Sequence, residues 1–242
     1  MEQIIPNWPA PKQVKAFAST RCDGYSLGVY QGLNLGTHVG DNREHVLKNR
    51  HWLTQQAQMP SAPIWLNQTH STIVVEQDQP TPDVIDADGV WTQTPGVVCS
   101  AMTADCLPIL LTNQQGTQVA AVHAGWRGLA GGIVENAVAQ LSGPLMAWIG
   151  PAIGPDAFEV GDDVVQAFSS EIPQAIEAFQ ALPKKGKWLA DMNRLVTQRL
   201  NRVGVEHIYY SDLCTYRDPH RFYSYRRDGV TGRQASFIWI NP

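Results

Sequence analysis

Three side chains stand out as able to do chemistry: His70 in WLNQTH, Cys106 in MTADCLP and His123 in AAVHAGWRG. Each falls at the end of a run that reads as a strand, or where such a run passes into a loop. A thiolate and two imidazoles form a borderline-soft donor set suited to Zn²⁺, with Cu²⁺ as the alternative ion. Three protein ligands also leave a fourth position for water or substrate, as catalytic metal sites do. The spacing is not a local ligand motif of the C-x-x-C kind, so the sequence supplies the donors without showing that they meet. A competing reading makes Cys106 a nucleophile with His123 as its base, and the two exclude one another because a metal-bound thiolate is the poorer nucleophile. Asp105, beside Cys106, is a candidate proton carrier or ligand-orienting partner; it could equally satisfy the N–H groups of a turn.

Two further stretches carry anion-binding chemistry. In GWRGLAGG, residues 125–132, glycines and the start of a predicted helix could present free N–H groups to phosphate, with Arg127 adding a fork of donors. The alternative is a tight strand-to-helix turn. Arg21, at the end of AFASTR, and the FYSYRRDG stretch with Tyr225 and Arg226 combine cations with aromatic planes, able to receive a phosphate and stack on a base; otherwise they form an edge strand shielding the core. Asp86-Ala87-Asp88-Gly89 is half of a calcium loop without the other half, and reads as a turn.

The elements that must position these residues follow from periodicity. Residues 14–20 alternate as a strand. Asp41 with Glu44 three residues later starts a helix that runs to the break at Pro60. Short strands are predicted at 64–65, 72–75, 97–102, 109–111 and 119–122. Residues 128–141 return to helical spacing, 145–149 form a strand, and Leu189, Met192, Val196 and Leu200 mark the buried stripe of a helix ended by Gly204. Strands close the chain at 207–210 and 236–240. Strands and helices come in clusters, which predicts an α+β fold.

Composition narrows the function. The 242 residues carry no linker-like or low-complexity tract, and the 16 Pro and 20 Gly are spread along the chain, so 1–242 reads as a single domain. A net charge of −4 gives no basic field for nucleic acid. No apolar run approaches the roughly 18 residues of a membrane span and the first residues lack a signal pattern, so a cytoplasmic protein without a membrane partner is expected. Four widely spaced cysteines predict reduced thiols. A monomer is the default.

Taken together, the motifs resemble the YfiH-like family, also called the laccase-domain or multicopper polyphenol oxidase-like family. The resemblance rests on STR at 19–21, NLGTHVGD at 34–41, WLNQTH at 65–70, ADG at 87–89, MTADCLPIL at 102–110, AAVHAGWRG at 120–128, IGPAIGPDAFEVG at 149–161, CTY at 214–216 and FYSYRRDGVTGR at 222–233. Two positions depart from the pattern: Asp23 stands where a second Gly is expected, and Ser71 follows the metal-position His where Gly is usual. The resemblance implies a single α+β domain with a mixed β-sandwich surrounded by helices, and a Zn²⁺ site ligated by His70, Cys106 and His123. It also implies a purine nucleoside phosphorylase taking adenosine, inosine and S-methyl-5'-thioadenosine with phosphate, and deaminating adenosine in the same pocket. Phosphate then falls to Arg21, Arg127 or Arg226, and base or ribose contacts to Asn34, Gln68 and Tyr225. An alternative within the family is removal of L-serine from UDP-N-acetylmuramic acid precursors. Phenol oxidation by several coppers is disfavoured, since only seven histidines are available, at 38, 45, 51, 70, 123, 207 and 220. A purely structural metal staple is also disfavoured, since a chain of this length has core enough without one.

Overall fold

The computed structural model describes residues 1–242. Two sheets form its centre. One is antiparallel with four strands, in the order Gln3–Ile4, Val14–Ser19, Gln234–Ile240, Cys99–Thr103. The other has six strands, in the order His207–Tyr210, Leu145–Ile149, Leu107–Asn113, Val119–Ala124, Gly89–Thr92, Val74–Glu76. Its outermost pairs are parallel and its inner ones antiparallel, so the sheet is mixed.

Side-chain alternation assigns each face of these strands to a layer. Leu110, Val119, Ala121 and Trp148 of the larger sheet pack against Val14, Ala18, Ala101 and Ile238 of the smaller, forming the interior of a sandwich. Leu107, Ile109, Leu111 and Val122 point the other way, into an apolar layer shared with the helices Ile133–Gln140, Asp162–Ser169 and Met192–Arg202. The outer face of the smaller sheet, with Phe17, Phe237 and Trp239, is covered by Leu33, Leu35 and Leu53, the last on the helix Arg43–Gln56. The central strands of both sheets are therefore buried on both faces, which is why those strands read as near-continuous apolar runs. The α+β class and the helix-flanked mixed sandwich expected from the sequence are the observed architecture.

Several local expectations change. The helix starting near Asp41 is capped by Asn42, whose side chain accepts from the Glu44 N–H. Asp41 instead accepts from Ser26 and Asn34. The single helix predicted over 128–141 is two, Trp126–Gly131 and Ile133–Gln140, because Gly132 adopts a left-handed φ of 99° between them. Leu189 belongs to the strand Lys187–Ala190, and the helix after it starts at Met192 behind an Asp191 cap. The FYSYRRDG stretch is not an edge strand but a loop ending in the short helix Tyr225–Asp228, capped by Ser224. Residues 159–190 add a small three-stranded sheet with no clear signature in the sequence.

Arg199 ties the helix Met192–Arg202 to Trp126–Gly131 and Ile133–Gln140 and to Glu171. Its guanidinium is 2% exposed, donates to Glu135 at 2.9 Å and to the Ala130 carbonyl at 2.7 Å, and lies 3.0 Å from Glu171. Glu135 and Glu171 keep contact with solvent, so Arg199→Ala mainly removes charge-assisted hydrogen bonds of a buried guanidinium and should lower stability by about 2 kcal/mol. Urea denaturation followed by circular dichroism measures this, and a loss below about 1 kcal/mol, the exposed-pair range, would show that the pair is not a buried tie.

Candidate metal centre and cavity

The three candidate ligands come from three separate places in the fold. His123 lies in the strand Val119–Ala124, Cys106 immediately precedes Leu107–Asn113, and His70 sits in the loop before Val74–Glu76. Strand pairing sets Leu107 opposite Ala124 and Pro108 opposite His123, which brings Cys106 and His123 to one edge of the sheet. His70 Nε2 stands 3.7 Å from Cys106 Sγ, and donor atoms of all three residues lie within 4.8 Å of one another. Tetrahedral zinc with Zn–S of about 2.3 Å and Zn–N of about 2.0 Å needs donors roughly 3.5 Å apart, so the group fits a metal ion with small adjustment.

Asp88 arranges this cluster. Its carboxylate is fully buried. Oδ1 accepts from His123 Nδ1 at 2.7 Å and from the His70 N–H at 3.0 Å. Oδ2 accepts from the N–H groups of Thr69 and Ser71 and from Ser71 Oγ, at 3.1, 2.7 and 2.6 Å. One carboxylate thus fixes the tautomer of His123, leaving Nε2 as its metal-facing atom, and holds His70 in a left-handed conformation with φ of 62°. Burial pushes the Asp88 carboxyl up, but the bonds from His123 and Ser71 outweigh it and hold it at about 2. The turn expected at 86–89 is instead the junction between the strands Ile85–Asp86 and Gly89–Thr92, and Asp88 is a site residue that sequence reasoning missed. Its signal was its place in ADG, a motif with no ligand spacing of its own. Ser71, a departure from the usual Gly, contributes the fifth bond.

Gly125 answers a steric need. A Cβ there would overlap the His70 ring, standing 3.0 Å from Nε2, and would lie 3.2 Å from Cys106 Sγ. The glycine-rich stretch therefore gives clearance to the ligands as its chain turns into Trp126–Gly131. Arg127 is exposed and stacks over Trp126 at 4.3 Å.

The cluster opens into a cavity of about 440 Å³. Of the residues expected to contact substrate, Gln68, Arg127, Tyr225 and Arg226 line it, as does Asp105. Asp105 has φ of 111°. Its Oδ1 accepts from Thr215 Oγ1 at 2.6 Å and its Oδ2 from the Arg226 N–H at 2.7 Å. Burial pushes its carboxyl up, opposed by these bonds, with a net rise. Gln68 holds the Met102 backbone at both ends of its amide, at 2.7 and 2.8 Å. Arg226 stacks over Phe158 and donates to the Glu159 carbonyl.

Two expected residues are not brought to the cavity. Arg21 lies over the Tyr223 ring, donating to the carbonyls of Gln31 and Pro219, and borders a separate depression with Cys22 and His220. Asn34 is fully buried, with Oδ1 accepting from the N–H groups of Gly36 and Arg233 and Nδ2 donating to Asp41. Its role is to shape the loop. His38, Trp126, Phe158 and Arg233 line the cavity and were not singled out as site residues from the sequence. His38 and Arg233 stand inside recognisable motifs, but only tertiary contact aims them at the metal cluster.

The model of the family described as multi-copper polyphenol oxidoreductase laccase matches residues 15–241. A relative named purine nucleoside phosphorylase YfiH from Escherichia coli is 49% identical over 240 residues, covering 98% of each chain. One named purine nucleoside phosphorylase from Haemophilus influenzae is 46% identical, covering 99% of this chain and all of its own. A crystal structure of a Neisseria meningitidis protein of the DUF152 family model superposes with a TM-score of 0.95 at 48% identity, over the whole of both chains. That of YlmD from Geobacillus stearothermophilus gives 0.89 at 29% identity, again over both chains.

Asp88→Asn should weaken zinc binding by about 10- to 100-fold, the usual effect of removing a carboxylate that orients a ligating histidine; competition against a chromophoric chelator measures it, and unchanged affinity would dismiss the hub role. Proton linkage gives a second expectation. Burial pushes the Cys106 thiol up, but the charge of His123 overrides this and draws it below its ordinary value. Burial pulls His123 down, but the Cys106 thiolate and Asp88 carry it above its ordinary 6.5. The metal-free pair is therefore thiolate and imidazolium near neutrality, and metal must displace the imidazolium proton. Zinc affinity should rise with pH above 6.5 until His123 has lost its proton, with proton release visible by calorimetry in buffers of different ionisation enthalpy; a flat profile would contradict the assignment.

Proposed function

We propose that this chain, which belongs to the YfiH-like or laccase-domain family, is a metal-dependent purine nucleoside phosphorylase. Its substrates are then adenosine, inosine and S-methyl-5'-thioadenosine, with adenosine deamination in the same pocket. The observation that carries the reading is the coincidence of three features in one cavity: a three-ligand cluster with an open side, guanidinium groups, and aromatic surfaces of Trp126, Phe158 and Tyr225. The names of the relatives supply the substrate class. The cavity's about 440 Å³ lies within the usual range for small-molecule sites.

Phosphorolysis joins a phosphate oxygen to the ribose C1', breaks the C1'–N9 bond and leaves the electron pair on the purine, which needs a proton. Bound by His70, Cys106 and His123, Zn²⁺, with Cu²⁺ as the alternative, supplies Lewis acidity at the cavity wall. Positive charge from the cavity arginines attracts phosphate and balances its approach. Asp105, whose carboxyl burial pushes up, is the proton donor to the leaving base in this reading, and Thr215 and the Arg226 N–H orient it. Tyr225, exposed at the rim, and Trp126 offer planes on which a purine stacks.

Chemistry with several coppers is the weaker reading. His70, Cys106 and His123 are the single group of three or more metal-type donors that the structure gathers, and the other five histidines do not join it. Coupled electron-transfer and oxygen-reducing centres need more donors than that.

Metal-replete protein given adenosine and phosphate should release adenine and ribose 1-phosphate, resolved by chromatography; no release from any of the three nucleosides would reject the proposal. Asp105→Asn should lower kcat by about 100-fold, the lower end of general-acid effects, with bound zinc unchanged. Because the acid form is the active one, wild-type kcat should fall as pH rises through the pKa of Asp105. That limb should vanish in the variant.

A further inference from the structure

The cavity holds three arginines, and their hydrogen bonds distinguish them. Arg127 is exposed, and its guanidinium stacks on Trp126. Arg226 is also exposed, spends Nη1 on the Glu159 carbonyl and stacks on Phe158. Arg233 is half-buried and fixed at both ends of its own residue. Its N–H donates to Asn34 Oδ1 at 2.8 Å and its carbonyl accepts from the Leu35 N–H at 3.0 Å. Gly36 leaves room for the stem: a Cβ there would stand 2.9 Å from Arg233 Cγ.

The guanidinium of Arg233 is anchored through Nη1 alone, which donates to the carbonyls of Thr231 and Gly232 at 3.1 and 2.9 Å. Of the five N–H donors of a guanidinium, those on Nε and Nη2 have no protein partner, and neither atom is sealed from solvent. They belong to a residue that lines the metal cavity, so an unspent fork faces that space. The group lies close enough to Cys106 and Asp105 for their charges to act on it. A planar pair of donors on a pre-organised stem is the geometry that receives two oxygens of a tetrahedral oxyanion.

Building on the phosphorylase reading, we infer that Arg233 is the principal phosphate anchor of the cavity, held in place by Asn34, with Arg127 and Arg226 contributing charge at the rim. Asn34, expected from the sequence to touch base or ribose, then acts on phosphate through Arg233.

Arg233→Met, loaded with zinc, tests this by steady-state kinetics with phosphate and inosine varied in turn. Loss of charge-assisted hydrogen bonds to an oxyanion should raise the phosphate KM by about 10- to 100-fold, with the inosine KM within about 3-fold and zinc content unchanged. Arg226→Met and Arg127→Met should each raise the phosphate KM less than Arg233→Met does. An unchanged phosphate KM, a rise in the inosine KM alone, or a larger phosphate effect from either other arginine overturns the assignment. If Arg233→Met does not fold, Arg233→Lys decides: it keeps the charge but loses the fork, so the phosphate KM should still rise while the melting temperature holds, and an unchanged KM overturns the inference. Should the wild-type protein phosphorolyse none of the three nucleosides, the functional reading fails by itself. Calorimetric titration of inorganic phosphate into zinc-loaded wild type and variant then tests the anchor separately, weaker binding to the variant supporting it and equal binding or none to wild type refuting it.

Discussion

One buried carboxylate organises the centre of this molecule. Asp88 collects five hydrogen bonds, from three successive backbone N–H groups, a hydroxyl and an imidazole. A carboxylate with no exposure survives in an apolar fold only when its lone pairs are filled, and here the groups that fill them are the metal loop itself. The loop 69–71 wraps onto Asp88 because the buried carboxylate needs donors and these N–H groups supply them. In doing so it places the His70 side chain against Cys106, while Asp88 also fixes the orientation of His123. The same bonds that satisfy a buried charge therefore assemble the candidate ligand set.

The two-sheet framework supplies the rigidity that this arrangement needs. Cys106 and His123 are adjacent to or within paired strands buried on both faces, so their relative position is set by antiparallel register. His70 is the candidate ligand on a loop and the most exposed of the three. Gly125 completes the geometry by being absent as a side chain, since any Cβ would collide with the ligands. Next to Cys106, Asp105 fastens the last helix of the chain through Thr215 and the Arg226 N–H, bringing residues more than 100 positions apart in sequence to the candidate metal cluster.

A division of labour among the polar residues follows. Residues expected to touch substrate proved to be of two kinds. Asp105, Gln68, Arg127, Tyr225 and Arg226 border the cavity, although Gln68 spends its amide on the Met102 backbone. Arg21 and Asn34 brace loops away from the cavity, the first at a separate depression and the second in the interior. Both kinds look alike in a sequence, because an Asn or Arg in a Gly-containing stretch is equally suited to a ligand and to the carbonyl and N–H groups of an irregular loop.

What the residues alone determined was the inventory. Apolar runs bounded by turn residues gave the strands of the sandwich, because side-chain alternation and burial are local consequences of strand geometry. The scarcity of thiols and imidazoles made His70, Cys106 and His123 nameable as donors, and the ordered motifs made the family recognisable. Local signals failed where the outcome depended on distant partners: the break at Gly132, the sheet formed within 159–190, and the cap at Asn42 in place of Asp41. Only the tertiary structure decided that Asp88 is the hub, that Gly125 is a clearance, and that Arg233 and not Arg21 faces the cavity. Those roles rest on which groups a fold brings within hydrogen-bonding or contact distance, and separation along the chain carries no record of that.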